Sequence, residues 1–235
     1  MAYKFGEKTQ LVNELIIATD EKTGFKYRPD TLDIDVLKEL REYKAIFEVC
    51  EGHTVMDIGA NIGMFTFLSL KAGAKRVISY EPEPENFLVL SEQELDPTRV
   101  ILNNVAVTDS NGETKFYITE RKPNKKQCMG RHSIIPTKGR KEITVKTVDF
   151  YDEFKKYKPT IIKCDTEGGE YTIDWTKLPK SVQYFAIEIH CIKNEEKAEQ
   201  LLAWFDSEFE TLYKLDTKYF GKKDTYVRAG KRRGI

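Results

Sequence analysis

Several features that would define a class of protein are missing from this sequence of 235 residues. No apolar run approaches the roughly 18 residues of a membrane span, and the first residues lack the apolar core of a signal peptide. The 4 cysteines are far apart, with neither a CxxC pair nor zinc-finger spacing. Basic and acidic residues number 38 each, so net charge attracts neither nucleic acid nor an anionic membrane. We therefore expect a soluble, intracellular, cytoplasmic protein with reduced thiols.

The length and the patterning fit one domain with an added N-terminal segment. Residues 1–50 predict a cap, formed by a hairpin around 15–27 and a helix over about 33–49. Residues 51–235 alternate short apolar runs with helical stretches, which is typical of a parallel sheet, and an insertion at 105–150 adds short β-like runs. We predict strands near 54–58, 76–80, 99–103, 160–164, 183–189, 210–215 and 224–228, and helices near 62–71, 84–95, 168–176 and 194–208.

A strand, a glycine turn and a helix start follow one another between Val55 and Gly63. Such a turn brings backbone N–H groups close to a dinucleotide pyrophosphate or to S-adenosylmethionine (SAM). The dinucleotide fingerprint would need glycine where Asn61 and Met64 stand. Asp57 would repel a pyrophosphate but suits the amino group of a methionine moiety. SAM is therefore the predicted cofactor, held here by Asp57, Gly59, Ala60, Asn61 and Gly63.

Two further side chains follow the second and third predicted strands. Glu81 comes directly after an apolar strand, 18 residues after Gly63, where a carboxylate can accept both ribose hydroxyls. Asn104 follows the next strand, where the adenine edge is expected, although an asparagine there is also an ordinary turn residue. Glu81 and Asn104 complete the predicted cofactor site.

The fourth and fifth predicted strands end in acids and a histidine. Asp165 is expected to face the same crevice as Asp57, because ligands bind at the carboxyl ends of parallel strands. Glu188 and His190 are two residues apart and so share one face of a strand. We predict that Asp165, Glu188 and His190 form the catalytic centre. Either His190 or Asp165 acts as a general base, or the three hold Mg²⁺ or Mn²⁺, which lowers the pKa of an acceptor hydroxyl.

Three motifs in this order and spacing resemble the FkbM-type family of SAM-dependent methyltransferases. They are the DxGANxG turn at 57–63, the EP pair at 81–82 and the KxDxEGxE segment at 163–170, within a resemblance that covers roughly 50–192. The resemblance implies an α/β class I methyltransferase fold, Rossmann-like, with a mostly parallel sheet of seven strands, helices on both faces, and the cap and β insertion added. It makes 51–235 a SAM-binding methyltransferase domain. It also implies methyl transfer to a hydroxyl of a sugar, a glycan or another small-molecule acceptor.

A basic insertion loop at 120–141 keeps an alternative open. Residues 121–141 hold eight lysines or arginines and no acid, which indicates either a solvated loop or a lid for a phosphate-bearing acceptor. Together with Lys222, Lys223, Arg228, Lys231, Arg232 and Arg233, the loop fits an RNA ribose methyltransferase or a nucleic-acid binder. No Asn/Asp-Pro-Pro-aromatic motif follows the fourth predicted strand, and the resemblance to amino-methylating enzymes of this fold makes that absence count against nucleobase methylation but not against RNA ribose methylation. We expect nucleic acid to be the less favoured partner.

Overall fold

The computed structural model describes residues 7–13, 15–33, 43–120, 129–191, 195–219 and 222–234. The strands are β1 (Glu7–Val12), β2 (Leu15–Asp20), β3 (Lys26–Tyr27), β4 (Thr54–Ile58), β5 (Arg76–Tyr80), β6 (Val100–Asn103), β7 (Ala106–Thr108), β8 (Gly112–Ile118), β9 (Lys141–Asp149), β10 (Ile161–Cys164), β11 (Tyr184–His190), β12 (Phe209–Tyr219) and β13 (Lys222–Arg232). The helices are α1 (Lys44–Phe47), α2 (Met64–Lys71), α3 (Pro84–Ser91), α4 (Phe150–Tyr157) and α5 (Glu195–Glu208).

The main sheet has seven strands in the order β12-β13-β11-β10-β4-β5-β6. The five strands from β11 to β6 are parallel, whereas β13 runs antiparallel to both β11 and β12. The seven strands predicted from the periodicity correspond to these seven, each within a few residues. This mostly parallel sheet confirms the predicted α/β class I methyltransferase fold.

Successive residues of the central strands face two separate cores, as the two-residue period of a strand requires. Met56 and Ile58 of β4 pack with Phe154 of α4 and Phe205 of α5 in one core. Val55 of the same strand belongs to the other core, which includes side chains of α1 and α2. Helices therefore cover both faces of the main sheet, and the open edge at the carboxyl ends of the strands is left for ligands.

The N-terminal strands form a separate sheet in the order β1-β2-β3. The predicted hairpin is present between β2 and β3, and Ile17 and Phe25 pack against Met64 and Phe67 of α2. Of the helix predicted over 33–49, residues 34–42 lie outside the described part of the chain, and α1 covers only its last turn. The division of the chain at residue 50 stays a prediction.

The insertion after β6 forms a third sheet in the order β7-β9-β8 instead of extending the main one. The predicted short runs lie within β8 and β9, which pair antiparallel. Residues 121–128 of the basic loop lie outside the described residues. The remainder returns across the carboxyl edge of the main sheet, where Ser133 forms an isolated bridge with Tyr117 of β8.

The helix predicted at 168–176 is wrong, because this segment forms two short 3₁₀ turns, Gly169–Thr172 and Trp175–Lys177. Glycine is a poor helix former, and Gly168 adopts a φ of +105° before the first turn. The backbone of the turn is used in tertiary contacts, since the Glu170 carbonyl accepts a hydrogen bond from Trp175 Nε1 at 2.8 Å.

Two basic residues near the end of the chain are structural. Arg228 and Arg232 lie in β13 with only 5% and 3% of their surface exposed. They pair with Asp216 and Glu208 at 2.5 and 2.7 Å. The predicted basic cluster is therefore not a continuous free surface, because its buried members are already neutralised. Within the described ranges, no helix is both long enough and apolar enough to cross a membrane.

Candidate active site

A cleft of about 610 Å³ lies at the carboxyl edge of the main sheet, beneath the insertion sheet. The ends of β4, β5 and β10 form one side, and the insertion forms the other. The lining residues are Ile58, Gly59, Asn61, Tyr80, Glu81, Pro82, Asn86, Val105, Ala106, Val107, Thr108, Phe116, Gly130, His132, Ile134, Asp165, Thr166, Glu167 and Gly169.

The glycine turn after β4 is fixed by close approach between neighbouring strand ends. Gly59 has a φ of +76°, and a Cβ atom built there would lie 1.8 Å from the backbone oxygen of Asp165. Gly63 has a φ of +93° at the start of α2, and its Cβ would lie 2.4 Å from Leu90 Cδ1. Asn61 also adopts a positive φ, of 51°. Both glycines are thus required by backbone geometry, and Gly59, Asn61 and Asp165 lie together on the cleft wall.

Glu81 is almost completely buried at the end of β5 and lines the cleft. Its two carboxylate oxygens accept hydrogen bonds from the backbone N–H groups of Asn61 and Glu83, each at 2.8 Å. Burial raises the pKa of Glu81 to about 7, although both N–H donors favour its ionised form. This carboxylate therefore connects the glycine turn to the start of α3.

Asn104, predicted at the adenine edge, does not line the cleft among the described residues. Its side-chain nitrogen donates to the backbone oxygens of Glu81 and Pro82, at 2.8 and 3.2 Å. The residue fixes the loop that carries Glu81, and its contact with the adenine stays a prediction.

Asp57 is fully buried and does not reach the cleft wall among the described residues. Thr66 Oγ1 donates to its Oδ2 at 2.7 Å, and Lys163 Nζ lies 3.4 Å from its Oδ1. Lys163 also donates to the Gly59 carbonyl at 2.6 Å and lies 3.8 Å from Asp165 Oδ2. Burial lowers the pKa of Lys163, but Asp57 and Asp165 outweigh it and raise the pKa above its usual value. Asp57 Oδ1 accepts no hydrogen bond from the described residues, and its contact with a methionine moiety stays a prediction.

His190 at the end of β11 is surrounded by three carboxylates. Glu170 Oε1 lies 3.2 Å from Nδ1, whereas Glu167 Oε2 and Asp165 Oδ1 lie 3.5 and 4.0 Å from Nε2. Burial alone would lower the pKa of His190, but these carboxylates, Glu170 first, raise it to about 10. His190 is therefore an imidazolium at neutral pH, and this geometry disfavours the prediction that it is the general base.

Asp165, Glu188 and His190 lie close together, with one possible ligand atom from each within 4.8 Å of the others. Of these three, Asp165 is the one that lines the cleft. Glu188 accepts a hydrogen bond from Tyr43 Oη at 2.7 Å, which connects it to the cap segment. The convergence expected from strand order is thus present, but Glu188 and His190 stand behind the cleft wall.

Four residues of this region were not assigned a role from the sequence. Lys163 carried a signal, since a charged residue stood inside the apolar run Ile161–Cys164. Glu167 and Glu170 would complement the dipole of the helix predicted at 168–176, but this helix is absent and both residues contact His190. His132 is in the basic loop, and no local pattern distinguishes it from a solvated histidine.

Comparison with solved structures gives distant similarities. TrmK from M. capricolum, with S-adenosyl-homocysteine bound, is 9% identical over 82% of this chain and 68% of its own, with a TM-score of 0.43. A candidate tRNA methyltransferase from Streptococcus pneumoniae, with SAM bound, is 12% identical over 83% and 73%, with a TM-score of 0.46. Trm5b from Pyrococcus abyssi is 13% identical over 98% and 57%, with a TM-score of 0.45. No curated protein matches the sequence.

The order of the main sheet, with a glycine turn after β4 and an acid after β5, defines a class I methyltransferase. A family model described as the methyltransferase FkbM domain matches residues 57–215. The chain therefore belongs to the FkbM methyltransferase family and is a SAM-dependent methyltransferase.

Proposed function

We propose that this enzyme transfers the methyl group of SAM to a hydroxyl of a sugar, a glycan or another small-molecule acceptor, with residues 51–235 as the methyltransferase domain. The observation that carries the proposal is a pair of acids, Asp165 and Glu167, on the wall of the cleft beside an imidazolium. A hydroxyl must lose its proton when it is methylated, so an enzyme that methylates oxygen needs such a proton acceptor.

The residues of the cleft fit the predicted cofactor. Glu81 presents a buried carboxylate to the cleft, which suits the two hydroxyls of a ribose. Gly59 and Asn61 of the predicted turn line the cleft next to Glu81, whereas Ala60 and Gly63 are buried within the turn. Lys163, which is paired with Asp57, holds the Gly59 carbonyl, and Asn104 holds the Glu81 loop. When bound, SAM supplies an electrophilic methyl group. The protein then has to align the acceptor, remove its proton and exclude water.

Glu167 is the best candidate for the base. Burial raises the pKa of Glu167 to about 7. At neutral pH much of this carboxyl group is therefore ionised, and the ionised form has a high affinity for a proton. Its side chain is 21% exposed towards the cleft. Asp165 lies next to it and is the second candidate. The imidazolium of His190 orients both carboxylates and stabilises their negative charge. Glu188 lies nearby, with a carboxylate oxygen within 4.8 Å of a possible ligand atom of Asp165 and of His190.

A metal-assisted reaction is the second candidate, because Asp165, Glu188 and His190 bring three ligand atoms together. Carboxylate oxygens with one imidazole suit Mn²⁺ and, with water, Mg²⁺. An ion held there would lower the pKa of the acceptor hydroxyl. It would first have to displace the proton of His190 and compete with Lys163, whose Nζ lies 3.8 Å from Asp165.

RNA ribose methylation stays the alternative acceptor chemistry. Arg131, Lys138, Arg140 and Lys141 follow the undescribed part of the basic loop. Of these, Arg131 and Arg140 are close enough to act electrostatically on Glu167 and His132 of the cleft wall. Against a broad RNA surface stands the pairing of Arg228 and Arg232 within β13. A phosphate-bearing small acceptor needs only one or two of these cations.

Thermal unfolding tests the cofactor first. At 100 times its dissociation constant, S-adenosylhomocysteine should add about 2.7 kcal/mol of stability, whereas NAD should add none. A further shift with Mn²⁺ or Mg²⁺, lost in Glu188→Gln, would favour the metal-assisted reaction. No shift with S-adenosylhomocysteine would contradict the proposal.

An acceptor screen then separates the remaining possibilities. Sugars, sugar nucleotides and short RNAs are incubated with SAM, and products are analysed by mass spectrometry for an O-linked methyl group. Glu167→Gln should lower kcat by roughly 10²-fold or more, whereas the exposed control Glu113→Gln should not change it. Methylation confined to RNA, with a salt-dependent gel shift, would establish the alternative instead.

A further inference from the structure

The loop at 129–135 crosses the cleft and is attached at both ends. Asn86 Nδ2 donates to the Met129 carbonyl at 2.9 Å, on the side of α3. Ser133 pairs with the main chain of Tyr117, and its Oγ donates to the Glu167 carbonyl at 2.6 Å, on the side of the acids. The side chain between these two attachments, His132, is therefore held in place before any ligand binds.

His132 is a buried polar residue without a hydrogen-bond partner. It is 5% exposed and lines the cleft, yet neither ring nitrogen has a partner among the described residues. No other buried, unpartnered side-chain nitrogen or oxygen found in the described ranges belongs to a residue of the cleft wall. Native proteins rarely leave buried polar groups unpaired, and such a group on a cleft wall points to a ligand.

The chemistry of this ring restricts what it can bind. Burial, together with the positive charges of Arg140 and Arg28, lowers the pKa of His132 to about 3. The ring is therefore neutral and offers one donor and one acceptor. A neutral ring offers no charge to a phosphate or carboxylate, whereas an uncharged heterocycle with donors and acceptors on its edge would match its donor and its acceptor.

The position of His132 in the cleft selects one part of the cofactor. Glu81 suits the ribose, and Asp165 and Glu167 mark the place where the methyl group must react. His132 Nδ1 lies 4.0 Å from Glu83 Oε2, two residues beyond Glu81, and its ring meets the Phe116 ring edge-on with centroids 6.5 Å apart. The neighbouring wall is apolar, with Val105, Ala106, Val107 and Ile134. An apolar wall with a neutral donor and acceptor beside it fits a purine.

We propose that His132, from the insertion loop, is a specificity residue that hydrogen-bonds the adenine base of the cofactor. This inference rests on the proposed cofactor site and adds to it a residue from outside the strand-end motifs. It also gives the insertion a function, because the loop that covers the cleft carries the residue that recognises the base.

Binding measured by calorimetry tests the proposal without any acceptor. His132→Phe keeps an aromatic ring but removes both polar atoms, and it should weaken binding of S-adenosylhomocysteine and of methylthioadenosine by the same factor of about ten. His132→Asn, which retains a donor and an acceptor, should recover part of the loss. The matched control is His53→Phe, since His53 stands before β4, at the opposite end of the sheet.

Analogues of S-adenosylhomocysteine with an edited base locate the contact. Analogues that lack the 6-amino group, N1 or N7 are compared on both proteins. At least one should bind the unsubstituted protein several-fold more weakly than S-adenosylhomocysteine and lose this penalty in His132→Phe. Equal penalties in both proteins would overturn the proposal.

The thermal stability of His132→Phe shows whether His132 contacts a ligand or has a structural role. Because the unpaired nitrogens cost free energy in the free protein, His132→Phe should unfold at an equal or higher temperature than the unsubstituted chain. A strongly destabilised variant with unchanged affinity, or a changed acceptor KM with unchanged cofactor affinity, would overturn the proposal. If the unsubstituted protein fails to bind S-adenosylhomocysteine, the proposed function itself is wrong.

Discussion

Glu170 holds His190 at two points with a single carboxylate oxygen. Oε1 accepts the backbone N–H of His190 at 2.7 Å and lies 3.2 Å from the ring Nδ1. The other oxygen, Oε2, accepts from the Gly168 N–H at 2.8 Å. This buried carboxylate therefore joins the end of β11 to the turn after β10 and sets the charge of the histidine between them.

Glu170→Gln should destabilise the protein by about 3–5 kcal/mol, because it leaves a buried imidazolium without its nearest counter-charge. The pKa of His190 should fall as well, since Glu170 is the largest of the charges that raise it. Urea unfolding measures the first effect, and NMR titration of the ring measures the second. Asp174→Asn, at an exposed helix-capping acid, is the control and should change neither the pKa nor the stability by a comparable amount. An unchanged pKa of His190 would contradict this account.

The same pair predicts a pH window for stability. The pKa of His190 is raised from 6.5 to about 10. The ion pair therefore makes its full contribution to the free energy of unfolding below pH 6.5, and this contribution is lost as the pH rises through 10. Burial raises the pKa of Glu170, but His190 outweighs it and lowers the pKa below 4.5, so this contribution is lost as the pH falls below that value. We expect the contribution of the pair to be greatest between about pH 4.5 and 6.5. Unfolding free energies for the parent and Glu170→Gln should converge at pH 10.

Lys163→Met should destabilise the protein by about 3–5 kcal/mol. The substitution removes the ammonium 3.4 Å from Asp57 and the hydrogen bond to the Gly59 carbonyl, so a buried carboxylate loses its counter-charge and the turn loses a tether. The double variant Asp57→Asn, Lys163→Met should recover part of the loss, because the uncompensated charge is gone. Lys155→Met, at an exposed ion pair, should cost less than about 1 kcal/mol. Independent, additive losses in the double variant would contradict direct coupling.

The sequence predicted the parallel part of the main sheet well because each of its five strands is a short, largely apolar run followed by a turn or a polar residue. Strand order placed Asp165, Glu188 and His190 together, and this depends only on parallel strands ending at one edge. Charge states could not be predicted in this way. His190 is charged because Glu170 reaches it from a 3₁₀ turn that replaced a predicted helix, and no periodicity describes that contact.

The role of the insertion in the cleft could not be predicted from local sequence patterns either. His132 lines the cleft because Asn86 and Glu167, 46 and 35 residues away in the sequence, fix the ends of its loop. Asp57 was expected at the ligand on the basis of its position, yet Lys163 and Thr66 already engage it. Such roles depend on which side chains meet across the fold.

Gly59→Ala and Gly139→Ala compare two glycines of similar backbone conformation, with φ of +76° and +83°. At Gly139 a Cβ meets nothing within 4 Å, so alanine should cost only the strain of a left-handed residue, about 1–2 kcal/mol. At Gly59 the Cβ would lie 1.8 Å from the Asp165 carbonyl, so the ends of β4 and β10 must separate. We expect the Gly59 variant to be much less stable and to lose S-adenosylhomocysteine binding, as measured by calorimetry. Equal costs at both positions would contradict the close approach.

Binding of S-adenosylhomocysteine should weaken as the pH falls below about 7, if the ionised carboxylate of Glu81 accepts the ribose hydroxyls. The pKa of Glu81 is about 7 because the group is buried, so protonation begins close to neutrality. A protonated carboxyl loses one acceptor and its charge. For one proton, the dissociation constant should rise about ten-fold per pH unit well below 7 and level off above 8.

Glu81→Gln separates this residue from the other titrating groups of the cleft. The amide imitates the protonated acid, so the variant should bind more weakly at pH 8 and show little dependence on pH. Glu167→Gln, whose parent group also has a pKa of about 7, is the matched control and should keep the pH dependence of the parent. The opposite result is that the pH dependence of the dissociation constant remains in Glu81→Gln and disappears in Glu167→Gln. The proton that controls binding would then be carried by the acids beside His190, and Glu81 would not be the residue that contacts the ribose.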